Sequence, residues 1–218
     1  AVRDLPARRG KPRAVSVSVV PIAIHAAGTM VVVVGGGSVA TRKAITFLTA
    51  GAQVSVIAPT ISGELREKAD ANDRLRLHAR EYAPADIAEA MLVVAATEIP
   101  AVNERVVADA RRAGKLVNRV DVPHEGNFST MAVHRAGDLT VGVVAGVPRA
   151  ASRVRDEIAK QFDQRYADAL EFLVTARAAL LASGEPDGWR ALADDLVPPE
   201  FCDLVEGGEF QQRTTPWR

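Results

Sequence analysis

The chain has 218 residues, 48% of them hydrophobic and 25% charged, with 27 basic and 27 acidic side chains. That length can bury a substantial core without staples, the composition excludes a mainly disordered or fibrous chain, and the balanced charge leaves no overall field for nucleic acid or an anionic membrane. The single cysteine, Cys202, can form neither an internal bridge nor a cysteine-rich metal site, so a reducing compartment, the cytoplasm, is the expected location.

Residues 1–13 carry five basic side chains and two prolines and read as a mobile tail outside the fold. The apolar run at 14–34 is broken by Ser16, Ser18, Pro21, His25 and the Gly28-Thr29 pair. It therefore reads as two strands and not as a membrane span. The competing reading, a basic leader before a short apolar segment, uses residues that the strand pattern already explains. An edge strand is expected at 15–24, followed by a fully buried, β-branched strand at 30–34.

A helix at 38–50 stops at Gly51, and a second buried strand at 54–58 ends at Pro59. A helix at 62–71, a strand near 75–79, a short helix at 85–90, a strand at 91–95, a helix at 100–113 and a strand from Leu116 follow. This alternation implies a mostly parallel α/β sheet of Rossmann type. The pattern then changes to a hairpin, with strands at 130–133 and 139–144 joined by a turn at 134–138, and to helices from about residue 150 with a break at 183–186. From Gly207 the chain is polar and reads as frayed.

Gly35-Gly36-Gly37-Ser38-Val39-Ala40 lies between a strand and a helix, the context that gives a Gly-x-Gly-x-x-Gly/Ala match its meaning. Gly35 allows the tight turn, Gly37 lets the backbone approach a pyrophosphate, and Ala40 lets the helix pack on the sheet. The anion would rest on the helix N-terminus. A strand-to-helix turn that merely needs glycine is the alternative. The second strand ends Ala58-Pro59-Thr60 without the acid that usually holds the adenosine ribose, so NAD and NADP are not distinguished. Arg42 and Lys43 could meet a 2′-phosphate or could form a solvated face.

Three stretches then carry a family resemblance: residues 31–43 (VVVVGGGSVATRK) with 51–59 (GAQVSVIAP), residues 92–97 (LVVAAT) with Val102 and Asn103, and residues 116–121 (LVNRVD). The sequence resembles the precorrin-2 dehydrogenases and sirohydrochlorin ferrochelatases, including the N-terminal part of the siroheme synthases. The similarity covers roughly residues 20–160. It implies a homodimer that binds NAD and a tetrapyrrole substrate, passing a hydride from precorrin-2 to NAD to give sirohydrochlorin. In some members a divalent metal such as ferrous iron is then inserted in the same cleft. No nucleic acid, membrane or resident metal partner is expected.

By the same resemblance the residues divide into a nucleotide domain at 14–118, a dimerisation and active-site region at 119–149 and a C-terminal helical region at 150–218. Asp121 is the expected acid/base, with His124 as a proton shuttle or transient metal ligand. Cofactor contacts are expected at Gly35, Gly37, Ser38, Val39, Ala58, Pro59, Thr97 and Asn103, and substrate contacts at Asn118, Arg119, Arg149 and Arg153. Without the resemblance, Asp121 reads as a turn carboxylate, Thr97 as a helix N-cap, and each arginine as solvated. His78 and His134 read as ordinary strand or surface residues.

The chain also departs from the family, with Val144-Ala-Gly-Val-Pro-Arg-Ala-Ala151 where members carry a serine-rich loop, and with His124-Glu-Gly-Asn-Phe128 after the aspartate. Two other readings follow from these departures. One is a nucleotide-sensing module that has lost chemistry, and the other is a chelatase acting on a related tetrapyrrole.

Overall fold

The computed structural model describes residues 19–215. It divides into two compact units, the first ending at Thr130 and the second beginning at Met131. The basic tail at residues 1–13 lies outside the described residues.

The first unit is built on five parallel strands: β1 (Met30–Val34), β2 (Gln53–Ile57), β3 (Leu75–His78), β4 (Leu92–Ala95) and β5 (Leu116–Arg119), in the order β3-β2-β1-β4-β5. Helices α1 (Ser38–Thr49), α2 (Gly63–Asp70) and α3 (Pro100–Arg112) and a 3-10 turn at Pro84–Ile87 make the crossovers. β1 and β4 are buried on both faces, which is why their sequences are unbroken apolar runs and not alternating ones. Alternate side chains feed two cores. Val31, Val33, Val54, Val56 and Val94 pack with Ala40, Ala44 and Leu48 of α1 and Leu65 of α2. Val32, Val34, Val93, Ala95 and Val117 pack on the other face with Ile87 and with Val106, Val107 and Ala110 of α3.

The register aligns the carboxyl ends of the central strands, Val34 opposite Ala95 and Ala95 opposite Arg119. The chain passes from β3 at one edge back to β4 beside β1, so the strand order reverses between β1 and β4. Such a switch point opens a crevice above the strand ends, where ligands bind in sheets of this kind. Beyond β5, Asn127 lies along the outer strand: its N–H donates to the Val117 carbonyl at 2.9 Å, and its Oδ1 accepts from the Val117 N–H at 2.6 Å. Phe128 packs against the first core. These contacts bind residues 119–130 to the sheet, so the expected region at 119–149 is divided between the two units.

The second unit holds an antiparallel hairpin, β6 (Ala132–Ala136) and β7 (Leu139–Val143), followed by α4 (Pro148–Gln161), α5 (Gln164–Ala182), α6 (Pro186–Leu196), α7 (Phe201–Glu206) and α8 (Glu209–Thr214). Its core gathers Tyr166, Leu173, Leu192, Leu196, Val205 and Phe210. Three expectations are corrected. No strand forms over residues 19–24, where Val20 and Ile22 are 83% and 61% exposed. Pro21 has no N–H to give a ladder, and residues 15–18 lie outside the described residues. His134 belongs to β6, because the hairpin turns on Gly137, whose φ of 56° a larger residue would resist. The segment after Gly207 is not frayed, because it forms α8 and buries Phe210 and Thr214.

Candidate active site

Two groups of residues meet the crevice of the first unit, one made of backbone and one of side chains. The first is the glycine turn between β1 and α1. Gly35 has φ of 132°, and a Cβ there would lie 2.3 Å from the Ala96 carbonyl oxygen, so the turn and the end of β4 touch through their backbones. At Gly36 a Cβ would fall 2.0 Å from the Thr60 carbonyl oxygen. At Gly37 a Cβ would meet no atom of the described residues within 4 Å, its chain neighbours apart. The protein's own packing requires glycine at 35 and 36, and leaves position 37 facing the crevice.

Gly37 is the N-cap of α1 and makes no side-chain cap, and no acidic residue occupies the first helical turn. The N–H groups of Ser38, Val39 and Ala40 have no acceptor among the described residues. Unpaired N–H groups at a helix N-terminus attract an anion through hydrogen bonds and the helix dipole. The turn is braced from beneath. Thr41 Oγ1 donates to the Gly37 carbonyl at 3.0 Å and lies 2.9 Å from Ser62 Oγ, the N-cap of α2, whose own N–H donates to the Gly36 carbonyl at 3.1 Å. This donor set fits a dinucleotide pyrophosphate. At the end of β2, Ala58 is buried while Pro59 and Thr60 are exposed.

The second group sits at the ends of β4 and β5. Asn103, fully buried on α3, accepts the Thr97 N–H at 3.0 Å and lies 2.8 Å from Thr97 Oγ1. Its Nδ2 donates to the Thr97 carbonyl at 3.0 Å and to Asp121 Oδ1 at 3.1 Å. Asn103 therefore joins the two strand ends, and its polar atoms are occupied by protein groups. Thr97 is not a helix N-cap, because that position belongs to Ile99, whose N–H donates to Thr97 Oγ1 at 3.1 Å.

Arg119 reaches both oxygens of Asp121, Nε to Oδ1 and Nη2 to Oδ2, each at 3.0 Å. Its Nη1 donates to Glu125 and its Nη2 also to the Pro100 carbonyl at 3.4 Å. The Arg119 side chain is 6% exposed and that of Asp121 29%. Arg119 is thus an internal cation and not a rim residue. The hydrogen-bonded guanidinium holds the Asp121 carboxyl below the usual carboxylate range, against a partial burial that would raise it. His124 is exposed on the 3-10 turn Pro123–Glu125. Asn118 Nδ2 donates to the Phe128 carbonyl at 3.0 Å, and its buried Oδ1 has no partner among the described residues.

Of the remaining expected residues, Ser38 and Val39 are exposed at the start of α1, and Arg149 and Arg153 lie exposed on α4 of the second unit. Arg42 is exposed, but Lys43 is half buried and donates to Thr130 Oγ1, so the pair does not form one solvated face. Burial first, and Arg42 second, lower the Lys43 ammonium from its ordinary value. Sequence reasoning missed Gly36, Thr41, Ser62 and Glu125. Only Ser62 had a signal, as a serine before a short amphipathic helix, although a charged residue inside the apolar strand LVNRV hinted that Arg119 would need a buried partner.

A family model described as "Putative NAD(P)-binding" matches residues 22–132, just over half of the chain. The chain belongs to this NAD(P)-binding family. The match spans both the glycine turn and Asp121. Among curated relatives of this family member, a precorrin-2 dehydrogenase from Priestia megaterium is 29% identical over 195 residues, covering 88% of this chain and 96% of that protein. A siroheme synthase from Chromobacterium violaceum is 34% identical over 179 residues, covering 81% of this chain and 38% of that protein, so the chain spans well under half of the longer relative. A solved structure described as SirC, precorrin-2 dehydrogenase, superposes with a TM-score of 0.72 at 27% identity, covering 89% of this chain and 98% of that chain.

Proposed function

We propose that this NAD(P)-binding protein oxidises precorrin-2 to sirohydrochlorin with NAD as the acceptor. The observation that carries the reading is the shared edge: an anion-binding glycine turn and an ionised aspartate stand over the carboxyl ends of one parallel sheet, at its switch point. The relatives and the solved neighbour named above support the same chemistry. NAD, when bound, supplies the hydride acceptor. Gly37 and the N–H groups of Ser38 and Val39 hold the pyrophosphate, and the backbone at Ala58, Pro59 and Thr97 lines the nucleotide.

Oxidation removes a hydride and a proton from the substrate. Asp121, already ionised, takes the proton as general base. His124, three residues along and exposed, passes it to water. Asn118 Oδ1, buried and without a partner among the described residues, becomes an acceptor for a substrate N–H as the site fills. Arg149 and Arg153 bind substrate carboxylates. The protein acts as a homodimer whose second unit offers exposed Val144, Val147, Val154 and Val174 to another copy. No described helix is long and apolar enough to cross a membrane, and exposed, unbridged Cys202 suits the cytoplasm.

Anaerobic incubation of the purified protein with precorrin-2, with and without NAD, tests this reading through the absorbance of sirohydrochlorin. Product that requires NAD is the expected result. NAD binding without any product would overturn the assignment and favour a nucleotide-sensing role.

A further inference from the structure

A strand that is otherwise apolar places Arg119 where a charged side chain must find partners or be excluded. It finds them all within the protein. Three nitrogens reach two carboxylates and one carbonyl, and the guanidinium has almost no contact with solvent. A guanidinium is planar and presents its donors as a fixed fork, so two parallel hydrogen bonds set the plane of the carboxylate opposite as well as its charge.

Counting acceptor positions on Asp121 makes the arrangement asymmetric. Oδ1 accepts from Arg119 Nε at 3.0 Å and from Asn103 Nδ2 at 3.1 Å, which uses both of its lone-pair directions. Among the described residues Oδ2 accepts from one other side chain, Arg119 Nη2 at 3.0 Å, and one direction is left. We propose that Arg119 is the positioning residue of this site, a buried fork that fixes the Asp121 carboxylate in one plane and directs the incoming substrate proton to Oδ2.

This rests on the dehydrogenase reading, in which Asp121 is the base. The C–H bond of the substrate breaks with its electron pair passing as hydride to the nicotinamide, so that NAD is reduced and the tetrapyrrole oxidised. The accompanying proton goes to Asp121 Oδ2 and then to water. The charged groups around the carboxylate are Arg119 from β5, Glu125 from the 3-10 turn and Glu104 from α3, the last two acting through Arg119. Arg119 is the cation that offsets this acidic group, so Asp121 serves as a base that is always ready and does not serve as a reservoir of protons. Substrate carboxylates must be met by other cations.

The test compares the native protein with Arg119→Gln and Arg119→Lys. The Asp121 carboxyl carbon is followed by NMR against pH without NAD, its signal assigned by loss in Asp121→Asn, and kcat and KM are measured against pH with precorrin-2 and NAD. In Arg119→Gln the carboxyl midpoint and the acid limb of kcat should both move up by about 1–3 pH units. In Arg119→Lys, which keeps the charge and loses the fork, the midpoint should stay low while kcat falls and KM for NAD is unchanged. An unmoved midpoint in Arg119→Gln, or native kcat in Arg119→Lys, would overturn the proposal. Should the native protein not turn over precorrin-2, the dehydrogenase reading fails by itself, and the carboxyl titration alone decides whether Arg119 holds the carboxylate.

Discussion

The glycine turn and the Asp121 cluster occupy the same edge of one sheet and are built by opposite means. At the turn, function depends on what the side chains lack: two glycines are needed for the backbone to close on Ala96 and Thr60, and a third faces open space among the described residues. At the cluster, function depends on side chains that satisfy one another, with Asn103 tying Thr97 to Asp121 and Arg119 gripping both oxygens of the aspartate. A backbone site tolerates changes in its surroundings but not a single added atom in the wrong place. A side-chain network tolerates neither the loss of a member nor a change of its charge, because the partner left behind is buried and unpaired.

The contrast predicts that binding and chemistry separate cleanly. Asp121→Asn should lower kcat by roughly 10²–10⁴ fold, the usual contribution of a positioned general base, while NAD affinity stays within a few-fold. Stopped-flow turnover beside calorimetric NAD titration checks both halves, and a parallel loss of NAD binding would merge the two sites. Gly37→Asp should do the converse. Its carboxylate at the helix start should weaken NAD binding by roughly ten- to thirtyfold through repulsion at the dipole end, with an unchanged melting temperature.

Smaller effects sharpen the comparison within each site. Gly36→Ala introduces a clash with backbone and should cost about 1–3 kcal/mol, lowering Tm by roughly 3–10 °C in thermal denaturation, whereas Gly37→Ala should leave Tm unchanged. Asn103→Ala should cost about 1–3 kcal/mol, because the Thr97 N–H loses its acceptor inside the protein, and urea unfolding would measure it. The smallest effect is acid dependence. The Asp121 carboxyl is held below its unfolded value, so its contribution to stability is complete above the ordinary carboxylate range and is lost as pH falls through the folded value. Stability of the native chain should therefore drop more steeply below about pH 4 than that of Asp121→Asn, read from urea midpoints at a series of pH values.

What the sequence made legible follows the same division. The central strands, their crossovers and the glycine turn could be read because backbone constraints leave their mark in residue type: unbroken valines in β1, glycines where the chain must close, Gly51 after the first helix. The side-chain cluster was legible only in part. Asp121 and Thr97 could be singled out through family resemblance, and the charge inside LVNRV hinted that Arg119 needs a partner, but nothing local says whether that partner is a substrate or a carboxylate two residues away. Asn103 likewise looked like a cofactor contact, and its four hydrogen bonds depend on a strand end 18 residues downstream and a loop before its own helix. Hydrophobic pattern misled at residues 19–24, where apolar side chains accompany a proline and remain exposed, and polarity misled at the C-terminus, where Phe210 anchors a short helix.

The strip formed by Asn127 along β5 has a consequence for how copies of this protein meet one another. An outer strand with free N–H and carbonyl groups is a template on which foreign chains can assemble. Here the Asn127 amide and main chain answer Val117 on both counts, and its Nδ2 reaches the Lys115 carbonyl at 3.3 Å. One asparagine thus imitates a length of neighbouring strand and stops the sheet from growing on that side, which guards the margin nearest Asp121 against edge-to-edge aggregation.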